Sequence, residues 1–155
     1  MNKLKYYYFC FLILSISLYA QDKRYTKGAE NGYTWLEMEP SVVHYSTSKE
    51  TYLASILERF RLTEETYPEI SSLSCRVDIE KMFNEGKSDE ILLEDIVDAI
   101  DKFYMKADNL VIPIMFAYCY TIKKFAGAGK KELNEYRERV LKFCESESKD
   151  PILFE

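Results

Sequence analysis

Ser88-Asp89-Glu90-Ile91-Leu92-Leu93-Glu94-Asp95-Ile96-Val97-Asp98-Ala99-Ile100-Asp101-Lys102-Phe103-Tyr104 is the stretch that decides the fold. Leu92, Ile96, Val97, Ile100, Phe103 and Tyr104 recur at the intervals that line one face of an α-helix. Ser88 or Asp89 is the expected cap, and acids crowd the first turn, where the partial positive charge of a helix N-terminus favours them. Glu94, Asp95, Asp98 and Asp101 occupy the opposite face. They lack the close loop spacing and glycine of an EF-hand, so a solvated acidic face is expected rather than a calcium site.

Downstream, Asp108-Asn109 closes this helix and Pro113 is placed to begin the next, where its missing N–H costs nothing. Ile114, Ala117, Tyr118, Thr121, Ile122 and Phe125 form the inward stripe of that helix, and Gly127 ends it. A further helix is expected from about Lys131 to Cys144, with Leu133, Tyr136, Val140 and Phe143 or Cys144 inward. Residues 146–155 show no periodicity and read as a mobile tail. Upstream, Thr47-Ser48-Lys49-Glu50 fits a capping box ahead of Tyr52, Leu53, Ile56, Leu57 and Phe60, which predicts a helix from about Ser48 to Leu62. Pro68 breaks or bends any continuation of it. Val77, Ile79, Met82 and Phe83 suggest a short helix ending at Gly86.

Residues 21–46 hold Gly28, Gly32, Pro40 and several aromatics without a clear period, so they read as an extended or irregular arm tacked onto the body by Tyr25, Tyr33 and Trp35. Apart from a short extended piece near Ser41 to Ser46, no alternating run is long enough for a sheet. The expected fold is therefore all-α, a compact bundle of four or five helices spanning residues 47–145, with an irregular N-terminal arm.

Lys3 and Lys5 precede an uncharged run from Tyr6 to Leu18, and Leu18-Tyr19-Ala20 stands before Gln21-Asp22-Lys23-Arg24. A basic start, a short apolar stretch and a small residue are the marks of a signal peptide, and the run falls short of the ~20 residues a membrane-crossing helix needs. Residues 1–20 are thus expected to be removed after Ala20, placing the chain in the periplasm or outside the cell with no stable membrane insertion. Of 155 residues, 135 then remain, and the formal charge moves from −5 to −7 because two lysines leave. An acidic domain repels nucleic-acid phosphates, so nucleic acid is not an expected partner.

Cys75, Cys119 and Cys144 survive processing. The first expectation is three buried apolar thiols; the next is a Cys75–Cys119 disulfide, as an oxidising compartment permits, with one cysteine left over. A single His44 and three widely spaced cysteines match no zinc pattern, so neither metal nor cofactor is implied. Gly127-Ala128-Gly129-Lys130 has the wrong spacing for a phosphate loop and follows a helix rather than a strand; Lys123, Lys124, Lys130 and Lys131 around it read as solvated surface. No serine or cysteine sits in a nucleophile motif, which predicts no enzyme activity. If a binding site exists, Asp101, Tyr104 and Asn109 are its candidate polar lining, with Trp35 as a lid. Turn and capping chemistry accounts for each of them separately.

Asn31-Gly32-Tyr33-Thr34-Trp35-Leu36 with Lys49-Glu50-Thr51-Tyr52-Leu53, and Ile100-Asp101-Lys102-Phe103-Tyr104 with Asn109-Leu110-Val111-Ile112-Pro113, resemble a signature of small exported bacterial proteins of unknown function. More distantly, the helix order resembles Rap/Tai-type immunity proteins, although the cysteines at 75, 119 and 144 are placed differently. The first resemblance implies an exported helical protein and brings no established activity; the second implies an inhibitor that binds and blocks a secreted toxin. The leading expectation is a non-enzymatic interaction module; the alternative is a small-ligand site at Asp101, Tyr104 and Asn109.

Overall fold

The computed structural model describes residues 22–38, 48–66 and 68–146. The expected signal peptide, the extended piece near Ser41 to Ser46, His44, Thr47 of the capping box and the tail beyond Ser146 lie outside the described residues. The fold is all-α, with five helices of seven residues or more and one two-stranded hairpin among the described residues.

The chain enters through strands β1 (Tyr25–Thr26) and β2 (Ala29–Glu30), paired antiparallel, and then α1 (Gly32–Glu37). This corrects the expectation of an extended or irregular arm for residues 25–37. Lys27 and Gly28 stand in succession at φ 51° and 82°, the left-handed pair that a tight hairpin turn of type I′ requires. Asn31 then caps α1, its side-chain oxygen accepting from the Tyr33 N–H at 3.0 Å while its amide donates to Lys23 O and Thr26 Oγ1. Gly32 is required where it sits: a Cβ there would stand 2.5 Å from the Tyr104 ring and 2.9 Å from Leu110 Cα.

Helix α2 (Ser48–Thr66) runs four residues past its expected end at Leu62. Pro68 acts on the backbone just before it, so nothing earlier in the sequence stops the helix. Leu53, Ile56 and Phe60 are buried from it. After α3 (Pro68–Ser71) comes α4 (Arg76–Asn84), closed by Gly86 at φ 69°. Helix α5 (Leu93–Tyr104) starts later than Ser88 or Asp89 suggested, because Ser88–Glu90 turn as a 3-10 segment. Asp95 Oδ2 accepts from the Leu92 N–H at 3.0 Å, which leaves Leu92 at the cap and exposed rather than on the inward stripe. Val97, Ile100, Phe103 and Tyr104 hold that stripe as expected.

Helix α6 (Ile114–Phe125) carries only two charges, both in its last turn, and is buried nearly all round. A helix apolar on every face belongs at the centre, and α2, α4, α5 and α7 (Lys130–Glu145) all pack against it. Gly127 at φ 90° turns the chain from α6 into α7, which buries Leu133, Tyr136 and Val140. The Tyr136 hydroxyl donates to Leu73 O at 2.9 Å, fixing α7 to the chain just ahead of α4.

Candidate functional site

The four residues singled out from sequence do not form one polar pocket. Trp35 is fully buried and its indole N–H donates to Asp101 Oδ1 at 2.6 Å. Lys49 Nζ donates to the same oxygen at 2.6 Å and lies 5.3 Å from the centre of the Trp35 ring. Asp101 thereby joins α1, α2 and α5, and it leaves the solvated acidic face to which Glu94, Asp95 and Asp98 belong. Tyr104 is sealed in the core. Its hydroxyl donates to Ile112 O at 2.8 Å, and burial pushes its pKa well above the ordinary value, so it is held protonated. Asn109 is buried elsewhere: its amide donates to Phe103 O at 2.7 Å and its oxygen accepts from Arg137 Nε at 2.5 Å. The four therefore serve as two braces and a core residue. Trp35 is a packed anchor rather than a lid.

Two other features stand out. The first is the seam between α4 and α6. Cys75 and Cys119 are joined by a disulfide, with Cα atoms 5.0 Å apart, which replaces the expectation of three unpaired thiols. One turn on, Asp78 and Lys123 form an ion pair with both side chains largely buried, and after another turn Lys81 Nζ donates to Ala126 O at 3.1 Å. Residues 75, 78 and 81 face 119, 123 and 126, so the helices lie parallel and are tied at each turn. Lys123 accordingly leaves the solvated lysine cluster, while Lys124, Lys130 and Lys131 remain exposed. The sequence carries this signal as Cys-x-x-Asp-x-x-Lys against Cys-x-x-x-Lys, two helix-spaced rows in which the cysteines alone are conspicuous.

These ties fix the rotation of α4 with its polar edge inward. Met82 is its one buried apolar side chain. Val77 and Phe83 are 76% and 73% exposed and Ile79 43%, although apolar residues mark this helix in the sequence. An exposed Arg76–Glu80 pair lies between Phe83 and Val77 on this side, and a Lys87–Glu85 pair follows the helix.

The second feature is a cleft of about 220 Å³ between the hairpin, α2 and the start of α6, lined among others by Tyr25, Glu30, Tyr52, Ile56, Ile114 and Met115. Glu30 Oε2 accepts from the Tyr52 hydroxyl. Cys144, the unpaired cysteine among the described residues, lies outside both features; burial pushes its thiol up to about 12. Among the described residues no group of three or more His, Cys, Asp or Glu side chains is placed to hold a metal ion, and no helix is long and apolar enough to cross a membrane.

No protein-family model, curated protein or solved structure matches the chain.

Proposed function

We propose that the chain is an exported, non-enzymatic interaction module that docks another protein through the outer face of α4. The observation that carries this is the orientation of α4: a helix covalently tied by its polar edge turns Val77, Ile79 and Phe83 to solvent. Phe83 and Val77 flank the exposed Arg76–Glu80 pair on this outward side, with Ile79 at its edge, and apolar side chains interleaved with charged ones suit a protein contact. The charged residues hold both signs, Arg76 with Glu80 and Lys87 with Glu85, whereas a membrane surface or a nucleic acid would call for a basic face. The partner that fits is a protein with an apolar groove to receive Phe83. Export is supported by the reading of residues 1–20 and by the disulfide, a bond that persists in oxidising compartments.

Photo-crosslinking in the native cell envelope tests this. A photoreactive amino acid in place of Phe83 is expected to give one discrete adduct with a second protein, and the same group in place of exposed Glu138 on α7 none. Val77→Ser is expected to weaken the adduct. Identical products from both positions, no product at 83, or an adduct only with a second copy of the chain would each overturn the proposal.

A further inference from the structure

We propose that the cleft beside the hairpin binds a small organic cation, a primary ammonium carried on a short apolar or aromatic tail. The Glu30 carboxylate is partly buried and is held in place by the Tyr52 hydroxyl on Oε2. Among the described residues, Oε1 makes no hydrogen bond and no lysine or arginine forms an ion pair with Glu30. A carboxylate on the wall of a cleft, with no counter-charge among the described residues, attracts an arriving cation. Lys27, in the turn that follows β1, directs its ammonium to Ser146 O at 2.7 Å and over the Phe143 ring at 5.1 Å.

The rest of the lining suits the rest of such a ligand. Tyr25 and Tyr52 also line the cleft, and aromatic rings beside a bound ammonium attract it. Ile56, Ile114 and Met115 make the apolar floor, each nearly inaccessible to solvent and so already packed before a ligand arrives. A volume of about 220 Å³ is roughly seven times the ~30 Å³ share of one liquid water, enough for a small amine and too little for a peptide. The acidic balance of the chain adds a long-range attraction of the same sign. This site is separate from the α4 face, and neither proposal depends on the other.

The test is an NMR titration of the purified protein with phenethylammonium, and with phenethyl alcohol as its neutral counterpart, following the methyl signals of Ile56, Ile114 and Met115. The ammonium is expected to shift these methyls and to bind at least about tenfold more tightly than the alcohol, a difference of about 1.4 kcal/mol. Glu30→Gln is expected to bring the two affinities together. Should that variant not fold, raising the salt concentration on the unaltered protein provides a second measure, because screening is expected to reduce the preference for the ammonium. Equal binding of the two compounds, unshifted methyls, or a preference that survives Glu30→Gln would overturn the proposal.

Discussion

Replacing Cys75 and Cys119 together with alanine tests whether α4 is held chiefly by its seam with α6. The bridge spans 44 residues, and closing a loop of that length removes about 2.1 + 1.5R ln 44, or about 13 cal/mol/K, from the unfolded chain. At 25 °C this is about 4 kcal/mol. With unfolding entropy of about 2.1 cal/mol/K per residue over the 135 residues left if residues 1–20 are removed, the loss corresponds to about 14 °C in Tm. Cysteine and alanine are close in size, so the lost contacts add little, and the Asp78–Lys123 pair remains. Urea unfolding gives the free-energy difference, and amide hydrogen exchange detects any local loosening added to it: residues 76–84 are expected to lose at least as much protection as α7. A loss below about 1 kcal/mol, or one confined to α7, would refute the reasoning. Chemical reduction of the unaltered protein is expected to reproduce the effect.

Gly32→Ala sets a methyl against the Tyr104 ring and the Leu110 backbone at distances no real contact tolerates, and is expected to cost about 1–3 kcal/mol by denaturant melt. Thr121→Val points the other way. The Thr121 hydroxyl is buried with no hydrogen-bond partner among the described residues, so removing it is expected to leave stability unchanged or raise it by about 1 kcal/mol. For Cys144, burial raises the folded pKa from 9.0 to about 12. Both states hold the proton below about pH 9; above it the unfolded chain loses its proton first, so this group's effect is a stability that falls as pH rises from about 9 towards 12. A thiol reagent at pH 8 is expected to label Cys144 only as the chain unfolds, and rapid labelling of the folded protein would contradict this.

The helices from α5 to α7 were legible because their information is local. Apolar spacing, Pro113 and Gly127 act over one or two turns, and the backbone obeys them. The hairpin was not, because strands of two residues are too short to show a period and its turn is Lys27-Gly28 rather than an Asn-Gly pair. The face of α4 was not legible from its own residues either. Its rotation is decided by Cys75, Asp78 and Lys81 meeting partners on a helix more than 40 residues away, and that meeting outweighs the apolar residues Val77 and Phe83. The site residues show the same division. Trp35 and Asp101 stand 66 positions apart and meet, while Tyr104 and Asn109, close to Asp101 in sequence, turn to backbone carbonyls. Glu30 carries no motif and Tyr52 reads only as part of a helix; the fold alone makes them neighbours.

The seam that fixes α4 has a consequence for how this surface can change over generations. Because the helix is fastened along one edge, the residues on its other side contribute little to folding. Val77, Ile79, Glu80 and Phe83 are therefore positions where substitutions can accumulate without eroding the scaffold beneath. If that face docks a partner as proposed, lineages of this protein are free to retune the choice there, and a library varied at those four positions offers a compact way to redirect it.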